Sequence, residues 1–263
     1  MNRLDKELVI RNLVDTRTKA QELIKKGVVK VNDKVQTKSS LLVEDTDTIL
    51  ITENEILRYV SRGGLKLEKA LNVFQYNVSN KIVMDIGSST GGFTDCCLQN
   101  GAKKVICIDV GTNVMHPSLR QDSRIELYEN TNIKDVKSEL FKQLDLVVVD
   151  VSFISLEKII TKISSQNVKL DIICLIKPQF ECGRDIATKY HGIVKNKTVH
   201  NEILNKVLTF FNNNNFYIKG LDFSPIQGGD GNIEYLGIFT NKITENSHIN
   251  TIKTINNAFK LKK

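Results

Sequence analysis

The residues best suited to chemistry lie in Asp85-Ile86-Gly87-Ser88-Ser89-Thr90-Gly91-Gly92-Phe93-Thr94, behind the apolar run Ile82-Val83-Met84. A strand that closes on an acidic residue and breaks into a glycine-rich turn can build a nucleotide-type cofactor site, because glycine backbone turns sharply and approaches ligands closely. Glycines at 87, 91 and 92 do not follow the G-x-G-x-x-G spacing, and no Gly-Lys-Ser/Thr follows, so neither a dinucleotide fingerprint nor a P-loop is present. The acidic strand end suits a cofactor of cationic character, for which the sulfonium S-adenosylmethionine is the natural candidate. Asp109 closes a second apolar run, 24 positions after Asp85, where a carboxylate could hold ribose hydroxyls or simply shape a turn. Asp150 ends the run Leu146–Val149, and Lys177 ends Ile172–Ile176 ahead of Pro178. A charge at the end of a buried run is costly unless it is paired or solvated in a cleft. Glu234 follows the turn Gly228-Gly229-Asp230-Gly231-Asn232 and is expected inside the last strand, facing either the crevice or solvent.

Positioning these groups falls to alternating strands and helices. Strands are expected at Ile82–Ile86, Val105–Val110, Ile125–Tyr128, Leu144–Val151, Leu170–Ile176, Phe216–Leu221 and Ile233–Phe239. Helical segments are expected at Leu65–Phe74, Phe93–Asn100, Ser155–Ser164 and Val199–Phe211. Such alternation implies an α/β fold with a mostly parallel seven-stranded sheet covered on both faces. In open sheets of this kind ligands bind beyond the carboxyl ends of the strands, so Gly87–Gly92, Asp109, Asp150 and Lys177 should share one crevice.

The chain has 263 residues and a formal charge of +7. Much of that charge lies between Arg11 and Lys38, where Arg11, Arg17, Lys19, Lys25, Lys26, Lys30, Lys34 and Lys38 are opposed only by Asp15, Glu22 and Asp33. Thr16 opens a helical pattern that stops at Gly27, followed by short strands at Val28–Val31, Leu41–Val43 and Thr48–Ile51. This compact unit has a basic helix end beside a hairpin, which favours salt-sensitive contact with nucleic-acid phosphates over a merely solvated face. The expected divisions are a small unit over 1–53, a linker over 54–61, an α/β domain over 62–241 and a basic tail over 242–263 that either touches RNA or stays mobile. No apolar run approaches a bilayer span and no secretory signal is recognisable. Five cysteines without a C-x-x-C pair and four histidines without ligand spacing point to a reducing cytoplasm and no metal, with Cys107 and Cys174 serving as small buried hydrophobes.

Longer runs carry a family resemblance. Arg3-Leu4-Asp5, Thr16-Arg17, Ala20, Leu23-Ile24, Gly27 and Val31-Asn32 resemble an S4 RNA-binding domain. Ser61-Arg62-Gly63-Gly64-Leu65-Lys66-Leu67, the Asp85–Thr94 loop and Asp150-Val151-Ser152-Phe153-Ile154-Ser155 are similar to the FtsJ-like, Rossmann-like class I methyltransferases. So are Lys177-Pro178-Gln179-Phe180-Glu181 and Gly231-Asn232-Ile233-Glu234-Tyr235. The combination resembles the TlyA family of ribosomal RNA 2'-O-methyltransferases, some members of which carry the name haemolysin A. The resemblance implies a small α+β S4 domain ahead of the methyltransferase domain, S-adenosylmethionine as cofactor and ribosomal RNA or ribosomal subunits as partner. It implies a catalytic set of Lys66, Asp150, Lys177 and Glu234, of which Lys66 comes from the resemblance alone. Cofactor contacts are expected from Asp85, Gly87, Ser88, Ser89, Thr90, Gly91, Gly92, Phe93, Asp109 and Val110. RNA contacts are expected from Arg3, Arg17, Lys19, Lys25, Lys26, Lys30, Arg58 and Arg62. The chain departs from its relatives at Thr112–Pro117, in place of a glutamine-leucine pair, and at Asn130, in place of an arginine.

The chemistry so implied is attack of a ribose 2'-hydroxyl on a sulfonium methyl, with positioning supplying much of the rate. Lys177 is the expected proton acceptor. A lysine is charged near neutrality, so burial or a second cation, which Lys66 would be, must help drive its proton off. Asp150 opposes this and is expected to orient Lys177 and the methyl group, while Glu234 aligns the hydroxyl or anchors Lys66. Two other readings are a non-catalytic RNA-binding assembly factor and a membrane-lytic protein. The four catalytic residue types together oppose the first, and the lack of a long amphipathic apolar helix opposes the second.

Overall fold

The computed structural model describes all residues except 12, 15, 53–57, 229–230, 244 and 261–263, together with the side chain of Arg184. Asp15, linker residues 54–57, Gly229, Asp230, Lys262 and Lys263 of the sequence reading therefore lie outside the described residues. The chain forms two compact units, Met1–Arg58 and Tyr59–Lys263.

In the first unit, β1 (Asn2–Arg3) leads directly into α1 (Leu4–Ile10), and α2 spans Arg17–Lys25. The Thr16 side chain accepts a hydrogen bond from Lys19 N and starts α2; Gly27, at φ +71°, ends it. β2 (Val29–Val31) and β3 (Lys34–Gln36) form a hairpin, with Asn32 and Asp33 both at positive φ, the requirement of a two-residue primed turn. β5 (Ile49–Ile51) pairs with the other edge of β2, and β4 (Leu42–Val43) pairs with β1. Leu4, Leu8, Ala20, Leu23, Ile24 and Val29 form the fully buried centre. Asp5 is also fully buried, and its carboxylate accepts from Arg3, Arg17 and Gln21, which hold it well below the usual carboxylate range.

The second unit begins its regular structure with α3 (Gly63–Val73), then β6 (Ile82–Ile86), α4 (Gly92–Gln99), β7 (Lys104–Ile108), α5 (Pro117–Arg120) and β8 (Ile125–Tyr128). It continues through β9 (Leu146–Val149), α6 (Leu156–Ser164), β10 (Asp171–Ile176), α7 (Pro178–Glu181), α8 (Arg184–Lys189) and α9 (Lys197–Asn213), and finishes with β11 (Tyr217–Phe223), β12 (Tyr235–Thr240) and α10 (Thr251–Lys260). The seven-stranded sheet has the order β11-β12-β10-β9-β6-β7-β8, and β12 alone among these strands runs antiparallel to its neighbours.

Strand residues alternate between two cores, as a period of two requires. Met84, Ile86, Ile106, Val147, Ile172 and Ile176 pack under α6, α9 and α10, where the Phe211 and Phe239 rings stack 3.8 Å apart. Val83, Val105, Cys107, Val148 and Ile173 pack under α3 and α4. The central strands match the sequence reading closely. The segment after residue 241 differs from the expected tail: α10 buries Ile255 and Ala258 against the first core. Apolar residues at 252, 255, 258 and 259 recur at helical spacing, and that pattern outweighs the flanking lysines.

Candidate active site

The loop after β6 turns on Gly87 (φ +81°) and Gly91 (φ +95°) and delivers the chain to α4. A side chain at Gly87 would meet the Asp150 carbonyl oxygen at 2.7 Å, so the loop lies directly on the residue that ends β9. A side chain at Gly92 would strike Ser61 and the Gly63-Gly64 backbone, which brings the N-termini of α3 and α4 together. Lys66, in the first turns of α3, is thereby carried to the carboxyl ends of β9 and β10.

There the four expected catalytic residues form an alternating ladder of charge. Lys177 Nζ lies 2.6 Å from Asp150 Oδ1, and Lys66 Nζ lies 3.9 Å from Asp150 Oδ2 and 2.6 Å from Glu234 Oε2. Lys177 also donates to Ser152 Oγ at 3.3 Å. Lys66, Lys177 and Glu234 are buried and Asp150 is partly open, so each buried ammonium has its carboxylate and each carboxylate its ammonium. Glu234 stands one residue ahead of β12 rather than within it, and a Cβ at Gly228 would meet its Oε1 at 2.8 Å, so Gly228 lies against the Glu234 carboxylate.

Two cavities meet at this ladder. One, of about 300 Å³, is lined by Ser61, Arg62, Gly63, Lys66, the loop residues Gly87, Ser88, Ser89, Thr90, Gly92 and Phe93, and Asp150, Ser152 and Lys177. The other, of about 310 Å³ and more apolar, is lined by Ile108, Asp109, Val110, Ile133, Val151 and Phe153 among others. Gly87, Ser89, Asp150 and Ser152 line both. The Asp109 carboxylate accepts from Ser89 N and Gly111 N at 2.7 Å each, which orients it while leaving lone pairs on both oxygens. The Ser88 hydroxyl is buried against the first cavity without a hydrogen-bond partner, an arrangement that a polar ligand would relieve.

Two expected cofactor residues lie elsewhere. Asp85 and Gly91 line neither cavity. Asp85 is fully buried and accepts from the Thr94 hydroxyl at 2.6 Å, because strand alternation turns it beneath α4 beside Cys107. Burial raises its carboxyl to about 7, partly offset by the Thr94 bond and reinforced by the charge of Asp150. Gly91 instead packs on Met115 and Leu119.

Among the expected RNA contacts of the first unit, Lys25 and Lys26 are exposed at the end of α2, with Lys26 3.7 Å from Glu22, and Lys19 and Lys30 are half-buried. Arg3 and Arg17 are bound to Asp5 and so also hold the fold. Arg58 is exposed, and Arg62, in the second unit, opens α3 at the first cavity. Asn130 takes a left-handed φ of +49°, which asparagine adopts more readily than arginine.

Phe153 escaped the sequence reading. It is 90% exposed, has φ +65°, and its ring lies 5.0 Å from that of Phe180 at 50°. A bulky residue in that region costs about 1–3 kcal/mol, and the quoted run through Ser155 was the only available signal. Glu181 was also missed: buried, it accepts from Ser155 Oγ (2.7 Å) and Leu156 N (2.9 Å) and ties the loop after β9 to the chain after Lys177.

Comparison with known proteins assigns both units to known families. Residues 59–241 match the FtsJ-like methyltransferase family and residues 2–49 the S4 domain. A Bacillus subtilis protein provisionally named an rRNA methyltransferase is 46% identical over 237 residues, covering 89% of this chain and 84% of its own. The 16S/23S rRNA (cytidine-2'-O)-methyltransferase TlyA of Mycobacterium tuberculosis is 35% identical over 235 residues, covering 89% and 87%. A solved structure from Streptococcus thermophilus, described as a candidate hemolysin, superposes with a TM-score of 0.77 at 38% identity, covering 98% of this chain and 96% of that one. With an S4 domain ahead of a methyltransferase domain and relatives of the same make-up along nine-tenths of its length, the chain belongs to the FtsJ-like methyltransferase family, in the group that includes TlyA.

Proposed function

We propose that the protein transfers a methyl group from S-adenosylmethionine to a ribose 2'-hydroxyl of ribosomal RNA. The observation that carries this reading is the Lys177–Asp150–Lys66–Glu234 ladder at the junction of the two cavities. The apolar cavity with Asp109 suits an adenosine, with the carboxylate taking ribose hydroxyls. The polar cavity, with its unpartnered Ser88 hydroxyl and the adjoining N-termini of α3 and α4, suits the amino-acid end. Bound there, the cofactor would supply an electrophilic methyl on a positively charged sulfur.

The side chains of the ladder would do the rest. Lys177 enters the step as the neutral amine, its ammonium proton having left to solvent through the partly open side of Asp150; its Nζ then accepts the hydroxyl proton as the new carbon–oxygen bond forms, and Asp150, 2.6 Å away, fixes where that nitrogen sits. Glu234 anchors Lys66, whose ammonium then stabilises the oxygen as negative charge develops. Phe153, exposed on the same loop as Ser152, offers a flat face on which a nucleobase can stack while its ribose reaches Lys177. The cations of the S4 unit supply phosphate contacts. The test is methylation of separated ribosomal subunits with labelled cofactor, followed by mapping of the modified nucleotide. A labelled 2'-O-methyl ribose is the expected product; label on a base, on protein or nowhere would overturn the reading.

A further inference from the structure

The segment Gly183–Gly192 joins α7 to the chain leading into α9. Both end glycines have left-handed backbone, φ +78° and +76°, and among the described residues no atom beyond the glycine and its chain neighbours lies within 4 Å of where a side chain would start at either. Between them α8 has no buried side chain among those described. Its backbone bonds close on the segment itself, Ala187 N to Gly183 O and Gly192 N to Ala187 O, each at 3.0 Å. Such a segment opens at small cost.

Its roots, in contrast, are fixed to chain segments that carry ladder residues. Gly183 follows Lys177 through α7, whose Pro178 and Glu181 are buried. At the other end Asn232, two residues before Glu234, donates to Gly192 O (2.8 Å) and accepts from Val194 N (3.2 Å). The buried His200 donates from Nε2 to Val194 O (2.9 Å) and accepts at Nδ1 from the Tyr235 hydroxyl (2.6 Å). The segment thus leaves the fold six residues after Lys177 and is bonded on its return by a residue two before Glu234. The segment carries Arg184 and Lys189 against Asp185; Lys189 is exposed, and the exposed Lys195 follows just past its second root.

We propose that Gly183–Gly192 is a hinged basic flap that closes over the RNA strand at the ladder and holds its phosphates, an inference that rests on the function proposed above. Positive charge suits a phosphate backbone better than a protein or lipid tail.

The experiment combines amide hydrogen exchange with steady-state methylation of ribosomal subunits. In the free protein, residues 184–191 should exchange fast; with subunits and S-adenosylhomocysteine they should slow at least about tenfold. The Lys189→Glu variant should raise KM for subunits about tenfold and make the salt dependence of binding shallower, with cofactor affinity and kcat within about twofold of wild type. A flap that stays unprotected, or an unchanged KM, overturns the inference while wild-type methylation stands. Failure of the wild-type protein to methylate any ribose overturns the function and this inference with it.

Discussion

Lys177 and Asp85 are both charged-type residues at strand ends, yet their surroundings give them opposite duties. Lys177 faces the cavity that Asp150 and Ser152 line. Lys177→Ala should reduce methyl transfer by at least about a hundredfold with cofactor affinity unchanged by calorimetry. Asp150 would keep Lys66 at 3.9 Å, so the fold should survive. Asp85 is sealed under α4 and raised by burial to about 7. An acid whose folded value lies above its unfolded one near 3.9 binds more protons when folded, so its contribution to stability is present below about pH 4 and is lost as pH rises through about 7. Asp85→Asn should therefore flatten the fall in stability between pH 5 and 7.5 by up to about 1.4 kcal/mol per pH unit, read from urea midpoints at several pH values. Equal slopes for both proteins would show that Asp85 is not the titrating group.

At the scale of elements, the site is held by backbone contacts that tolerate no added atoms. Gly87→Ala combines a positive φ with a clash against the Asp150 carbonyl, so it should weaken cofactor binding at least about tenfold, with Asp150 displaced and kcat reduced as well. α10 makes a different kind of contribution. Ile255 is buried against the core of the second unit, and Ile255→Ala should cost about 2–5 kcal/mol in denaturant unfolding while leaving the ladder untouched. Little change in midpoint would mean that the helix is dispensable. The strands and α4 were legible because their apolar runs have the right length, with β6 ending at Gly87, β10 just ahead of Pro178 and α4 just ahead of Gly101. The lysines flanking α10 mask its helical spacing in the sequence, and Glu234 falls outside the strand because β12 starts at Tyr235, two residues later than alternation suggests.

For the molecule as a whole, charge and fold are partly separable. Arg3 and Arg17 neutralise the buried Asp5, whereas Lys25 and Lys26 lie exposed at the end of α2. Lys25→Glu/Lys26→Glu should lower RNA affinity and reduce the slope of log affinity against log salt by about 1–2 without changing the unfolding midpoint. Arg17→Ala should lower the midpoint as well, since it strips a partner from a buried carboxylate. Identical behaviour of the two variants would remove the distinction. Among the described residues no helix is long and apolar enough to cross a membrane.

The sequence by itself determined the order of the seven sheet strands and the longer helices among them, the glycine-rich turn, the basic S4 unit and the strand ends at Asp109, Asp150 and Lys177. Each of these depends on neighbours along the chain: hydrophobic period, turn chemistry and local charge. Tertiary structure alone decided that Asp85 turns under a helix, that Lys66 reaches Glu234 across 168 positions, and that Phe153 and Glu181 belong to the same loop system. Those facts depend on which faces of separate elements meet, and the packing of α3 on α4 and of β12 beside β10 sets them. A pattern read along one chain segment carries no record of the face it will find opposite.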